Sequence, residues 1–342
     1  MRTRLAALAV ALVVAACTTG GTSDTTGAPT ELTLLTHDSF LVSDAVWEAF
    51  TAETGITVSV VQGGDAGSVV SQAILTADDP TADVLFGVDN TFLSRALEAD
   101  IFAPYESPAL DGVMPDLKAG GAVTPIDFGD VCLNYDVAYF SGDLAPPGGL
   151  DDLVDPAYAG LTVVENPATS SPGLAFLLAT IAEYGDDGWE GWWEALVAND
   201  VRITSGWEEA YYGDFTVGGG GDRPIVVSYA SSPPAEVIFA EERPEEAPTA
   251  VVTDGCFRQV EYAGILRPSA SAEALIDFML SETFQADIPL NMFVFPAVEG
   301  TPLPSEFTEF TQVPDDPATV DPDEIEARRD EWIDRWTEIA LP

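Results

Sequence analysis

Basic residues are scarce in this chain. Lys118 is the only lysine, and 12 lysines and arginines stand against 58 aspartates and glutamates, for a formal net charge of -46. Because such a surface repels phosphate everywhere, nucleic acid is excluded as a partner. An acidic excess of this size is typical of a surface that attracts cations or stays soluble at high salt.

Histidine and cysteine are also rare, with His37 the single histidine among the 342 residues. A serine triad would have to use that histidine, and the usual zinc ligands are too few for a site. The Gly-x-Ser-x-Gly, His-Glu-x-x-His, P-loop and Gly-x-Gly-x-x-Gly motifs are missing as well. A glycosidase-like pair of carboxylates stays open, although nothing singles one out. We therefore expect no enzyme, no cofactor and no metal.

A long apolar run is missing outside the N-terminus. Residues 1–4 are basic and residues 5–16 apolar, a pattern typical of a secretory signal and too short to span a membrane. The sequence Val-Ala-Ala-Cys that ends at Cys17 resembles the lipobox of bacterial lipoproteins. We predict a signal peptide over 1–16, a Thr/Gly/Ser tether over 17–30, and an extracytoplasmic protein that contacts the membrane only through a lipid on Cys17.

With Cys17 assigned to a lipid, two of the three cysteines remain, Cys132 and Cys256. In an oxidising compartment an even pair is most simply a disulfide. Both fall on segments that look like connections between two halves of the chain. We predict that they form a bond across those connections.

Alternating strands and helices predict an α/β fold. Three strand-to-helix steps between 31 and 99 favour a parallel sheet, and the pattern restarts after Pro146. The final helix, with Pro322 in its first turn, is expected to pack on the first lobe. The predicted boundaries are 31–131 and 256–342 for the first lobe and 132–255 for the second.

Polar and aromatic residues follow several predicted strands, where open α/β sheets bind ligands. Trp207 and Tyr211 are four residues apart and so share a helix face, and Tyr229 ends a short β-branched run. Aromatic faces beside hydroxyls and amides predict a site for a flat, cationic molecule. Core packing is the alternative for each aromatic taken alone. The polar candidates are His37, Asp38, Ser39, Asp65, Gly67, Ser170 and Ser171, the last two with plain helix capping as the alternative.

Six segments combine into a pattern found in one family. They lie at 38–40, 82–90, 169–174, 205–211, 227–233 and 288–296. Together they resemble the thiamine-binding proteins of bacterial ABC importers. The resemblance implies a type 2 periplasmic-binding-protein fold with two lobes, thiamine or a thiamine phosphate in the cleft between them, and a membrane permease as partner. We expect a monomer.

The same resemblance assigns ligand contacts by position. These are Asp38, Ser170, Trp207, Tyr229, and Asp65 or Gly67. His37 stands where the family often has tyrosine, and Phe293 where it often has tryptophan. Part of the aromatic cage around the ligand is therefore expected to differ.

A ferric-iron-binding protein of the same fold is the alternative. The adjacent Tyr211 and Tyr212 resemble the tyrosine pair of such proteins, with His37 as a conceivable partner. Neighbouring residues on a helix point apart, however, which makes shared coordination of one ion difficult. A lipid-anchored scaffold without a ligand would leave the cleft aromatics unexplained.

Overall fold

The computed structural model describes residues 31–341. The predicted signal peptide, tether and Cys17 lie outside these residues. The strands are β1 (Glu31–Thr36), β2 (Thr57–Gln62), β3 (Val84–Asp89), β4 (Thr124–Asp136), β5 (Thr162–Glu165), β6 (Arg202–Thr204), β7 (Ile225–Tyr229), β8 (Thr249–Ile265) and β9 (Phe295–Pro296). The helices are α1 (Asp44–Thr54), α2 (Ala66–Leu75), α3 (Leu93–Glu98), α4 (Ser171–Tyr184), α5 (Trp189–Ala198), α6 (Trp207–Glu209), α7 (Pro233–Ile238), α8 (Ala270–Met279), α9 (Glu282–Asn291), α10 (Ser305–Phe310) and α11 (Pro322–Ala340).

The strands follow the order β2-β1-β3-β8-β4-β7-β5-β6, with β9 added beside β4. At one end, β1 pairs in parallel with β2 and β3; at the other, β5 pairs in parallel with β6 and β7. The antiparallel strands β4 and β8 lie between these two parallel parts. This arrangement gives the predicted two-lobe α/β fold, in which β4 and β8 are the crossing strands. The exact residue boundaries of the lobes stay a prediction.

Cys132 on β4 and Cys256 on β8 form a disulfide, as predicted, with 4.4 Å between their Cα atoms. The pairing of the two strands shifts at this point. Val131 lies opposite Phe257, whereas Leu133 lies opposite Val252, so β8 carries extra residues beside Cys132. The disulfide therefore fastens the crossing strands together where their register is interrupted.

We expect removal of this disulfide to destabilise the protein by about 4 kcal/mol, because the bond closes a long loop in the unfolded chain. The two cysteines are 124 residues apart in sequence. The measurement is urea unfolding of a Cys132→Ser/Cys256→Ser variant beside its parent, both in a Cys17→Ser background. Thiol titration of the unreduced parent should find no free thiol, and two reactive thiols would contradict the assignment.

The central helix of the second lobe begins earlier than its apolar pattern predicts. The apolar run starts at Leu174, but α4 begins at Ser171 because the Ser170 side chain accepts a hydrogen bond from the Gly173 amide and Pro172 suits the first turn. Residues 171–181 are buried throughout. Trp193 on α5 packs edge-on against Phe176 of this helix, which confirms its predicted place in the core.

The sequence predicted that the last helix packs on the first lobe. In the structure it contacts both lobes. Trp336 of α11 lies 5.5 Å from Trp193 of α5, ring centre to ring centre, and Arg335 pairs with Glu190 at 2.8 Å. Arg329 meanwhile donates to Ser94 of α3 in the first lobe at 3.0 Å. An apolar stripe tells which face of a helix is buried, but not which neighbour covers it. Across residues 31–341, no helix combines the length and apolar character needed to cross a membrane.

Candidate functional site

A cavity of about 320 Å³ lies between the two lobes. Most of the sequence-predicted site residues line it: His37, Asp38, Ser39, Asp65, Ser171, Trp207, Tyr211, Tyr229 and Phe293. The structure thus brings together residues from segments that are more than 250 positions apart in sequence.

Two predicted residues lie beside the cavity but do not line it. Ser170 is fully buried; its hydroxyl oxygen accepts from the Gly173 amide at the start of α4, and its side chain also forms a hydrogen bond with Asp65. Gly67 packs where the lobes meet, because an added Cβ there would lie 2.9 Å from the Ala168 carbonyl oxygen. Both residues shape the surroundings of the site from behind its wall.

The strand ends of the first lobe position its polar groups. His37, Asp38 and Ser39 follow β1 directly, and Asp65 follows its parallel neighbour β2. The carboxyl ends of parallel strands lie at the same edge of a sheet, so these side chains come together there. Asp65 also caps α2, where its carboxylate accepts from the Ala66 amide at 2.7 Å.

The aromatic wall belongs to the second lobe. Trp207 stacks on Tyr211 with 4.9 Å between ring centres and 22° between planes, which confirms that the two share a face. Tyr229 approaches Trp207 at 6.5 Å and 63°. Hydrogen bonds fix both rings: Trp207 Nε1 donates to Ser228 at 2.9 Å and the Tyr229 hydroxyl to Gln259 at 3.1 Å. The half-buried Trp207 therefore offers a rigid ring to a ligand.

Tyr211 and Tyr212 lie in different surroundings. The Tyr211 hydroxyl is buried and donates to Glu236 at 2.8 Å, whereas the Tyr212 side chain is 51% exposed and its ring stands at 80° to that of Tyr211. Burial, followed by the charge of Glu236, raises the pKa of Tyr211 well above its ordinary value, which opposes a phenolate. Within the described part of the chain, no cluster of three or more His, Cys, Asp or Glu side chains is arranged to hold a metal ion.

The Asp65 carboxylate crosses the cleft. It accepts from the backbone amides of Trp207 at 2.9 Å and Ser171 at 3.3 Å, both in the second lobe. Burial raises the pKa of Asp65, and the amide hydrogen bonds from Trp207 and Ala66 oppose that rise. The sequence pointed to this carboxylate as one candidate to face a cationic ligand. In the structure its oxygens accept hydrogen bonds from backbone amides of the protein.

An ionised pair lies at the first-lobe side of the cavity. His37 Nε2 is 3.2 Å from Glu261 Oε1. Burial would lower the pKa of His37, but the charge and hydrogen bond of Glu261 raise it above its ordinary value. Burial would raise the pKa of Glu261, yet His37 holds it below its usual range. Burial, followed by the charge of Glu261, raises the pKa of Asp127 well above its ordinary value.

Several wall residues were not identified from the sequence, among them Gln259, Glu261 and Glu208. Gln259 and Glu261 lie two positions apart on β8 and so face the same side of the strand. Glu208 follows Trp207, and the Ser39 side chain of the opposite lobe forms a hydrogen bond with it. A polar residue in a crossing strand carries no signal of its own, although its alternation with apolar neighbours could have drawn attention to Glu261.

The charge of the cavity favours a cation. Four carboxylates, Asp38, Asp65, Glu208 and Glu261, share the wall with one imidazole, and no lysine or arginine is among the described residues that line it. Aromatic faces next to carboxylates attract a flat cation by electrostatic and cation–π interactions. The negative charge of an anion would be compensated only in part, because His37 is the one basic side chain among the described residues of the wall.

The crossing strands, the two parallel sheet ends and the cleft between them define a type 2 periplasmic-binding protein, a class that binds solutes rather than transforming them. Residues 79–334 match the model of the bacterial extracellular solute-binding protein family. This chain belongs to that family, which places it outside the cytoplasm as expected.

Relatives whose names state a ligand are similar to most of the chain. The thiamine-binding periplasmic protein of Escherichia coli K12 is 32% identical over 318 residues, which cover 89% of this chain and 92% of the relative. A solved periplasmic thiamin binding protein has a TM-score of 0.80 at 28% identity and covers 91% of this chain and 96% of its own. The iron uptake protein A1 of Synechocystis is less similar, at 24% identity over 87% of this chain and 84% of the relative.

Proposed function

We propose that this protein captures thiamine outside the cell and delivers it to an ABC importer. The observation that carries the proposal is the half-buried Trp207 ring, stacked on Tyr211 and flanked by Tyr229, in a cavity rich in carboxylates. Thiamine has a flat pyrimidine ring and a permanently cationic thiazolium ring. The similarity to thiamine-binding proteins supports the same ligand.

In this proposal each group of wall residues contacts a different part of thiamine. Trp207 and Tyr229 flank the rings, with Phe293 on the neighbouring side, and Asp38 and Glu261 supply negative charge for the thiazolium. Ser171 supplies a hydroxyl for the polar tail, since its buried Oγ has no hydrogen-bond partner among residues 31–341. His37 takes the position at which related proteins often have tyrosine.

Free thiamine is the favoured form over its phosphate esters. No lysine or arginine lies among the described cavity residues, and the amides of Ser171 and Trp207 already bond to Asp65. A diphosphate would add several negative charges beside four carboxylates, which the wall can compensate only in part. Thiamine monophosphate should bind with an affinity between those of free thiamine and the diphosphate.

We also infer that the mature protein starts at Cys17, carries a lipid there and acts as a monomer. The lipobox-like Val-Ala-Ala-Cys and the following tether support the start and the lipid. A Cys17→Ser variant is expected to leave the membrane fraction, and a membrane-bound variant would contradict the lipid assignment.

We expect thiamine to raise the melting temperature. At a concentration a hundredfold above Kd, ligand linkage stabilises the folded form by about 2.7 kcal/mol. The measurement is thermal unfolding with thiamine, thiamine monophosphate and ferric citrate in parallel. Ferric citrate should give neither a shift nor a visible phenolate band. A coloured iron complex that disappears in Tyr211→Phe, without any effect of thiamine, would favour the iron-binding alternative.

A further inference from the structure

Asp65 connects the lobes through hydrogen bonds to the backbone. It belongs to the first lobe, where it caps α2. Its Oδ2 accepts from the Trp207 amide at 2.9 Å and its Oδ1 from the Ser171 amide at 3.3 Å, residues 142 and 106 positions away. One carboxylate therefore joins the start of α2 to the starts of α6 and α4 in the opposite lobe.

The backbone on both sides is shaped for this contact. An added Cβ at Gly206 would lie 2.9 Å from Asp65 Oδ2. An added Cβ at Gly67, two residues beyond Asp65, would lie 2.9 Å from the Ala168 carbonyl oxygen of the second lobe. Real Cβ atoms do not approach other atoms so closely, so the lobes meet here at a distance that only glycine permits.

The segments that make the contact follow the two edge strands, which are farthest from the crossing strands in the strand order. Asp65 follows β2, the outermost strand at one end of the sheet, and Trp207 follows β6, the outermost strand at the other. Near the sheet centre the lobes are held by β4, β8 and the Cys132–Cys256 bond. The Asp65 hydrogen bonds add a second connection between the lobes, made by side chain and backbone outside these strands.

We propose that Asp65 is a latch that holds the lobes closed over the ligand, and that it acts by slowing ligand release. The identity of the ligand rests on the proposed function. The role of Asp65 in lobe closure does not depend on which ligand is bound. Asp65 is then a positioning residue, because its oxygens are engaged by amides of the protein. Opening the lobes would transfer the carboxylate and both amides to water and allow the ligand to leave.

The first test measures the kinetics of thiamine binding to Asp65→Ala and Asp65→Asn. Stopped-flow tryptophan fluorescence should show a dissociation rate at least tenfold faster in Asp65→Ala, since the hydrogen bonds that Asp65 forms with Trp207, Ser171 and Ser170 of the second lobe are lost. The association rate should change less than threefold. Asp65→Asn should behave similarly, because its side-chain NH₂ group would face the backbone N–H groups of Trp207 and Ser171, which are also donors. Asp155→Ala is the matched control, since Asp155 caps a turn by accepting from Ala157 inside the second lobe.

The second test measures the distance between the lobes without ligand. Spin labels at Glu53→Cys and Glu194→Cys, in a Cys17→Ser background, report the separation of α1 and α5. Asp65→Ala should shift the distribution to longer distances, and Asp155→Ala should not. A slower association rate in Asp65→Ala with unchanged dissociation and distances would identify Asp65 as a counter-ion for the ligand and overturn the latch. If thiamine fails to bind the unaltered protein, the proposed function fails, and the distance measurement still decides the latch.

Discussion

Lowering the pH from 8 to 5 is expected to stabilise this protein against unfolding by roughly 3 kcal/mol from Asp89 alone. The Asp89 side chain is fully buried, and burial raises its pKa to about 7. One carboxylate oxygen accepts from Thr91 and Phe92, whereas the other has no partner among the described residues. Ionisation of this group in the folded protein is therefore costly.

The sign follows from proton binding in the two states. Between the ordinary aspartate pKa and about pH 7, the folded protein binds more protons than the unfolded chain, so stability falls as pH rises. Asp127 and Glu165, whose pKa values burial raises well above normal, act in the same direction. His37 adds stability that is lost as pH rises through its raised pKa. Glu261 acts oppositely, because its lowered pKa gives stability that is lost under more acidic conditions.

The measurement is urea unfolding at pH 5, 6, 7 and 8 at constant ionic strength. Asp89→Asn should flatten the pH dependence, since the amide oxygen keeps the hydrogen bonds from Thr91 and Phe92 and no charge can form. Asp79→Asn, on an exposed turn, should leave the slope unchanged. A stability that increases with pH over this range, or an unaltered slope in Asp89→Asn, would contradict the assignment.

Replacing Trp207 by alanine is expected to weaken thiamine binding by at least about 100-fold. Loss of a stacking face costs about 1–3 kcal/mol, and a desolvated cation–π contact adds about 2 kcal/mol. Trp207→Phe should retain part of the affinity because a smaller aromatic face remains. Tyr139→Ala is the control, since Tyr139 is 47% exposed and lies outside the cavity wall.

Calorimetric titration of these variants gives the affinities, and urea unfolding shows whether each still folds. The Trp207 ring lies on Tyr211, so the alanine variant also leaves that ring partly uncovered. A loss of less than fivefold in a folded Trp207→Ala protein would mean that the ligand binds elsewhere in the cleft.

The two-lobe fold was predictable because its strands are short, apolar and followed by helices. The same alternation occurs before β4 and again after it, so a parallel arrangement of strands could be expected in each lobe. The cysteines added a constraint that spacing alone could not give, since an oxidising compartment leaves them one partner each. The prediction for α11 was incomplete: it contacts α3 of the first lobe as expected but also α5 of the second, because the stripe containing Trp332 and Trp336 specifies burial and not the surface that provides it.

The site was predictable where polar or aromatic residues stand at a strand end or a helix start, since α/β folds bind ligands there. His37, Asp38 and Trp207 were found in this way, and all line the cavity. Glu261 was missed because a crossing strand has no ligand-binding pattern. The partners of Asp65 lie more than 100 residues away, so the sequence could point to its carboxylate but not to the amides that occupy it.

The most direct test of the central claim is calorimetric titration of the ligand-free protein with thiamine. The arrangement of Trp207, Tyr229 and the cavity carboxylates predicts one thiamine per chain, bound with a Kd below micromolar and more tightly than thiamine diphosphate. Absence of measurable heat at any temperature, together with an unchanged melting temperature, would contradict it.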